Sequence, residues 1–358
     1  QSGVPKPDSP LGKVIMLLGV VFALGAVVQI YYQPIITKRY VNLHLMFAFI
    51  IFFLVELYRR LPTDDWSLRE WASMGLFGAI TLGAVGATTY VHFMFVPLTQ
   101  DRFASRYPFH EVIIGAVLIV AAIYALYRAF GLMISGVTVF VLLYGRFGPL
   151  FPGILEHVGV GWERLILYIS LGLEGGTYHL LVSLVATWVF VFIIWAGLVE
   201  EYGGLELFFD VGFLIASRFK SGVAQTAVVT SMIMGSINGS PMANAVVTGS
   251  FTIPLMKERG FPGRTAAAVE SVASTGGMIL PPVMGTVAFL MANFLNVSYA
   301  HIVTVAALPA ILFYAAVALS VHLISVDVGA DMRIEREVDA WATLRGLVPI
   351  IVSLAALI

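Results

Sequence analysis

The chain has 358 residues, 59% of them hydrophobic and 11% charged, and its mean hydropathy of +0.93 excludes a water-soluble globule and leaves a lipid bilayer as the solvent. Its 20 Lys and Arg nearly cancel its 21 Asp and Glu, so no basic field for nucleic acid exists and no nucleic-acid partner is expected. Cysteine is absent, which excludes disulfides and thiolate metal sites, and the 7 histidines are scattered.

Charge-free stretches of about 20 residues have the length a helix needs to cross roughly 30 Å of hydrocarbon. Spans are expected at about 14–36, 41–58, 72–97, 111–127, 130–149 and 176–199, and a last one opens near 346. Trp66, Trp71, Tyr31 and Tyr32 near span ends read as interface anchors. Glu56 and Glu174 also lie at span ends and read as solvated. From 200 to 221, Glu206, Asp210, Arg218 and Lys220 interleave with Leu205, Leu207, Phe208, Phe209 and Phe213, the pattern of an amphipathic helix in the interface.

Residues 221–256 carry no charge over 36 positions and are broken by Gly235-Ser236-Ile237-Asn238-Gly239-Ser240-Pro241. One straight helix would be roughly 54 Å long, and each half, roughly 22 Å, is too short to cross. Arg218 and Lys220 precede the run and Lys257, Arg259 and Arg264 follow it, so the positive-inside rule puts both ends on the cytoplasmic face. A re-entrant hairpin over 221–256 satisfies both constraints, with its tip near mid-membrane. The next charge-free run, 271–326, opens with Ser274-Thr275-Gly276-Gly277-Met278-Ile279-Leu280-Pro281-Pro282. Tandem prolines remove two amide donors, so a broken helix is expected over 264–296, turning near Val297 and Ser298, followed by an ordinary helix over 300–324. Asp327, Asp331, Arg333, Glu335, Arg336 and Glu337 read as a cytoplasmic linker. With the N-terminus inside, fourteen of the 20 Lys and Arg fall on the cytoplasmic side and six outside.

A tip rich in Ser, Asn and Gly beside a helix broken at Gly-Gly and Pro-Pro supplies freed carbonyls and side-chain oxygens for a desolvated cation, and helix N-termini for an anionic group. The candidate cation- or substrate-binding residues are Ser236, Asn238, Gly239, Ser240 and Asn244 on the hairpin, with Ser274, Thr275, Gly276, Gly277 and Pro281 on the broken helix. Packing through small residues explains any one of them, but not two polar breaks in succession. Glu270, a turn or two inside the broken helix, is an intramembrane carboxylate that reads equally as a proton- or ion-linked group and as an interface-facing residue. The chain contains no GxxxxGK[ST], HExxH or GxSxG, and its histidines lie near span ends, whereas an intramembrane serine protease needs a serine and a histidine at comparable depth, so no enzymatic chemistry is expected. The reading is an ion-coupled solute symporter, with an ion channel or a noncatalytic membrane scaffold as alternatives. It needs no cofactor, with Na⁺ as a possible coupling ion.

Two segments, GSINGSPMANAVVTGSFTIPLMKERGFP (235–262) and AAAVESVASTGGMILPPVMGTVAFLMANFLNVSY (266–299), resemble the large membrane subunit of tripartite ATP-independent periplasmic (TRAP) transporters, and more narrowly the fused permeases of the TAXI branch. The resemblance is specific over about 175–325. It implies an all-α polytopic membrane bundle in the cell inner (plasma) membrane with a cytoplasmic N-terminus: a small-subunit-like four-helix scaffold over 1–129, a connecting span and linker over 130–175, and the first inverted repeat of the transport subunit over 176–358. It also implies Na⁺- or proton-driven elevator transport of a carboxylate-bearing solute delivered by an extracytoplasmic TAXI-type binding protein. Asn238, Gly239, Ser240 and Asn244 fall at the family's first hairpin tip, and Gly276 to Pro282 at its discontinuous helix. Some branches place a hydroxyl after the paired prolines; here Val283 follows, so backbone ligation is expected there. Gln1, and an Ile358 that falls inside an apolar run, lead us to expect a fragment of a longer polypeptide, with the second repeat beyond Ile358.

Overall fold

The computed structural model of the chain describes residues 9–60, 68–100, 108–173, 176–219, 221–329 and 338–357. Expectations resting on Trp66, Arg102, Arg106, Glu174, Lys220, Asp331, Arg333, Glu335, Arg336 and Glu337 lie outside them. The described residues are helical, without a strand: α1 (Pro10–Tyr32), α2 (Thr37–Arg60), α3 (Leu68–Phe93), α4 (Phe95–Gln100), α5 (Phe109–Phe147), α6 (Trp162–Ser170), α7 (Leu180–Leu184), α8 (Phe190–Glu201), α9 (Gly204–Ala216), α10 (Gly222–Asn238), α11 (Pro241–Glu258), α12 (Gly263–Thr275), α13 (Thr286–Phe294), α14 (Tyr299–Val328) and α15 (Ala340–Leu357). Among the described residues, six helical stretches are long and apolar enough to cross a membrane: Pro10–Tyr32, Thr37–Arg59, Trp71–Phe93, Phe109–Leu150, Gly176–Glu201 and Tyr299–Val328. The fold is therefore the all-α, polytopic membrane class that composition predicts. It divides into two compact units, Gln1–Thr187 and Trp188–Ile358, with the division inside the span expected at 176–199.

In the first unit α2 packs on α1 and α3, and α3 on α5. Its polar groups are spent on holding these helices together. Asn42, fully buried, donates to the Thr88 carbonyl at 2.9 Å and accepts from the Tyr178 hydroxyl at 3.0 Å. Glu56 corrects the reading of a solvated span end: it is 5% exposed and ion-paired with Arg128, because α5 brings a guanidinium against the last turns of α2. The boundary between the spans expected at 111–127 and 130–149 falls at Gly131. Residues 109–147 run as α5, broken at Gly131 with φ 78° and ψ −171°, a conformation closed to residues with a Cβ, so one glycine takes the place of a loop.

In the second unit α10 is the central element, buried along most of its length and packed against α9, α11, α12 and α14. A helix that is apolar or small on every side belongs inside a bundle. The core around it joins Ala224, Ala227 and Val228 to Met256, Val269, Ala273, Tyr314 and Val317. The amphipathic segment after 200 forms α9, and its buried face (Phe208, Phe209, Gly212, Phe213, Ala216) serves protein packing. Gly212 permits this crossing, since a Cβ there would stand 2.5 Å from the Thr230 hydroxyl.

Candidate functional site

The hairpin expected over 221–256 is present as α10 and α11, whose contacts between Ser231 and Thr248, and Ser231 and Asn244, show that they run antiparallel about residues 239–240. Local chemistry makes the turn. Gly239 ends α10 in the left-handed conformation (φ 60°), its amide bonded to the Gly235 carbonyl at 2.9 Å. The Asn238 side chain accepts from the Ser240 amide at 3.0 Å, and the Ser240 hydroxyl caps α11 by accepting from the Ala243 amide. Pro241 at the first helical position has no amide to leave unsatisfied.

The broken helix is also present. After Thr275 the chain makes one 3₁₀ turn over Gly276–Met278 and an irregular passage to Gly285, then resumes as α13. The Pro281–Pro282 peptide in this passage is cis. Three neighbours hold the passage: the Val283 amide donates to the Ser236 carbonyl at 3.1 Å and the Gly285 amide to the Met278 carbonyl at 2.9 Å. From the far side the Tyr299 hydroxyl, on the first residue of α14, is bonded to the Pro282 carbonyl at 3.0 Å and to that of Val283. The Tyr299 ring stacks on Phe289 with centroids 4.2 Å apart.

Hairpin and broken helix meet backbone to backbone. A Cβ on Gly277 would stand 2.5 Å from the Gly235 Cα, and one on Gly239 would stand 1.9 Å from the Met284 carbonyl oxygen. At this meeting lies a cavity of about 140 Å³, lined among others by Asn238, Gly239, Ser240, Met284, Gly285 and Thr286. That is room for about four or five waters, hence for a small ion or one polar group of a solute rather than a whole metabolite.

The predicted site residues thus separate into two groups. Asn238, Gly239 and Ser240 line the cavity, Ser236 (through its carbonyl) and Gly277 join hairpin and broken helix beside it, Gly276 packs instead on Phe313 and Tyr314 of α14, and Pro281 sits in the irregular passage without lining the cavity. Asn244 and Ser274 belong elsewhere, with Glu270. Thr275 is exposed on α12 and bonds the Ser271 carbonyl at 2.7 Å.

Glu270, 1% exposed, faces inward. Its Oε1 accepts from Ser231 at 2.6 Å, from Ser274 at 3.0 Å and from Thr248, and its Oε2 accepts from Thr252. Asn244 joins this cluster by donating to the Ser231 carbonyl at 2.8 Å. Among the described residues Glu270 forms no ion pair. Sequence reasoning passed over Ser231, Thr248, Thr252 and Tyr299. The first three had a readable signal, since Asn244, Thr248 and Thr252 follow one another at the i, i+4 spacing that puts them on one face of α11.

A model of the family described as "Tripartite ATP-independent periplasmic transporter, DctM component" matches residues 111–358. An uncharacterized protein, y4mL, of Sinorhizobium fredii is 32% identical over 112 residues, 31% of this chain and 26% of that protein. A putative TRAP transporter large permease protein of Haemophilus influenzae is 27% identical over 108 residues, 30% of this chain and 25% of its own length. The isethionate TRAP transporter permease protein DctMQ of Oleidesulfovibrio alaskensis is 33% identical over 92 residues, 25% of this chain and 14% of that one. The matched region spans about a quarter or less of each relative's length. No solved structure matches the chain. With most of its length matched by the family model, the chain belongs to the family of the DctM component of tripartite ATP-independent periplasmic transporters.

Proposed function

We propose that the chain is part of the membrane permease of an ion-gradient-driven TRAP transporter of the fused TAXI type, working by an elevator movement with Na⁺ or H⁺ as the coupling ion. The family is one of multi-pass membrane permeases served by an extracytoplasmic solute-binding protein. The finer assignments, namely a TAXI-type binding protein, a carboxylate-bearing solute, a cytoplasmic N-terminus in the inner membrane, and 176–358 as the first inverted repeat of the transport subunit, belong to the proposal. The observation that carries it is the convergence of the hairpin tip and the helix break on one small cavity: a chain reversal and a helix break that meet in a charge-free region serve no packing purpose that continuous helices would not serve better. The cavity offers the oxygens of Asn238 and Ser240 together with the start of α13, a mixed surface suited to a cation or to the carboxylate of a solute.

The test is solute uptake by the full-length protein in proteoliposomes with its cognate binding protein, under imposed Na⁺ or H⁺ gradients. Asn238→Ala and Ser240→Ala should each fold and each weaken the dependence of uptake on the ion gradient. An unchanged gradient dependence in both variants refutes the role given to the tip. Cysteines placed at Arg218 and Lys257 should be labelled from the same side of the membrane, and labelling from opposite sides would remove the re-entrant hairpin.

A further inference from the structure

The Glu270 cluster stands apart from the tip. Ser231 precedes Asn238 by two turns of α10, roughly 10 Å along the axis. It puts one carboxylate and four hydroxyls from three helices in mutual contact: Ser231 of α10, Thr248 and Thr252 of α11, Glu270 and Ser274 of α12. Gly249 makes room for it, since a Cβ there would stand 3.0 Å from the Glu270 Cγ. Among the described residues, the elements packed on α12 supply no counter-charge at this level. α10 has no ionisable side chain, α11 has none before Lys257, and the 3₁₀ turn over 276–278 has none. On α12 itself Arg264 lies six residues earlier. On α14, Tyr314 spends its hydroxyl on the Ala273 carbonyl at 2.9 Å, while His322 is bonded to Ser221 at 3.0 Å. A buried carboxyl without a cation must offset its desolvation with hydrogen bonds, and the four hydroxyls supply them.

Hydrogen counting shows that the cluster suits both forms. Each hydroxyl has one hydrogen and two lone pairs. Thr248 stands between two acceptors, the Asn244 carbonyl at 2.7 Å and Glu270 Oε1. When Glu270 is an anion, Ser231, Thr252 and Ser274 donate to it and Thr248 can add a fourth bond. When a proton arrives from the solvent, a new O–H bond forms on Oε1 and points at Thr248, whose own hydrogen turns to the Asn244 carbonyl. One hydroxyl rotation accommodates the exchange, no backbone moves, and release reverses it. The oxygens of the cluster stand only 2.6–3.0 Å apart in direct hydrogen bonds, separations that leave no room for a metal cation among them.

From this geometry, and resting on the permease reading above, we infer that Glu270 is the site that carries the coupling proton, with Thr248 as its positioning residue. The experiment uses the full-length permease in membranes. Infrared difference spectra between alkaline and acidic buffer should show the carbonyl stretch of a protonated carboxylic acid in the wild type, absent in Glu270→Gln and titrating alike with and without Na⁺. Thr248→Val, which keeps the carboxylate and removes the switching hydroxyl, should move the titration midpoint, and it serves as the readout if Glu270→Gln fails to fold. In proteoliposomes with the binding protein, a gradient of one pH unit coupled through one proton supports about a tenfold accumulation ratio. Glu270→Gln should abolish that accumulation while still exchanging labelled for unlabelled solute. A band that survives Glu270→Gln, a midpoint that shifts with Na⁺, or undiminished proton-driven accumulation in the variant overturns the inference. A wild type that moves no solute under any gradient refutes the permease reading instead, and the infrared titration then decides by itself whether Glu270 takes up a proton.

Discussion

Replacing Gly239 by alanine isolates the contact on which the tip depends. Two costs are superposed at this position. Its φ of 60° is left-handed, which a residue with a Cβ occupies at about 1–2 kcal/mol. The added methyl would also stand 1.9 Å from the Met284 carbonyl oxygen and 2.8 Å from its carbon, so the hairpin must part from the passage after the prolines by roughly 1.5 Å to recover ordinary contact. The obstacle is backbone, with no rotamer to turn away, and forced insertion of this kind costs about 1–3 kcal/mol more. Gly329 is the internal control: its φ of 66° is nearly the same and nothing lies within 4 Å of its Cβ position. Gly329→Ala should therefore lower the apparent Tm of the full-length protein by the conformational cost alone and leave uptake intact. Gly239→Ala should lose roughly twice as much stability and, because the cavity wall itself is displaced, most of its uptake. Gly239→Asn, which tolerates the left-handed region but keeps a Cβ, should fail in uptake too. All variants are compared at one scan rate, since unfolding of such proteins is a rate process. Equal Tm losses for Gly239→Ala and Gly329→Ala, with uptake preserved in both, would refute the reasoning.

Tyr299→Phe keeps the stack on Phe289 but removes the hydroxyl that bonds the Pro282 and Val283 carbonyls, so it should cost about 1 kcal/mol and raise the KM for solute more than it lowers the maximal rate. Equal KM values in mutant and wild type would show that the passage holds its shape without it. In the first unit, Asn42→Ala orphans the buried Tyr178 hydroxyl, at about 1–3 kcal/mol, and takes from the Thr88 carbonyl the bond it has beyond its own helix; a thermal shift no larger than that of an exposed control would contradict the bonding described.

The sequence revealed the two chain breaks more clearly than it revealed what surrounds them. Gly235 to Pro241 and Pro281-Pro282 were legible because each violates a rule that apolar helices otherwise obey, so position along the chain sufficed. Glu270 was undecided because sequence gives depth but not direction: the same residue a turn away would face lipid or the interface. Its partners are Ser and Thr, which in membrane helices bond their own backbone as readily as a neighbour, so composition does not single them out. Glu56 was misread for a related reason. A carboxylate at the end of an apolar run is solvated unless something covers it, and the Arg128 that covers it comes from a helix 72 residues further on. Tyr299 had no local signature, since an aromatic at a helix start is ordinary and its value lies in a passage 16 residues earlier. The spans 111–127 and 130–149 were legible as two, but that a single glycine, Gly131, makes the break between them is a property of its torsion angles, which composition does not state.

The approach of Gly235 to Gly277 sets a limit on how this half of the molecule can deform. Elsewhere helices meet through side chains that can tilt or change rotamer, a soft layer in which small displacements die away. Here main chain bears on main chain, so a shift of the 3₁₀ turn is handed to α10 undiminished. The tip and the prolines will therefore travel together as a single lever, and whatever flexes during a working cycle must flex somewhere else.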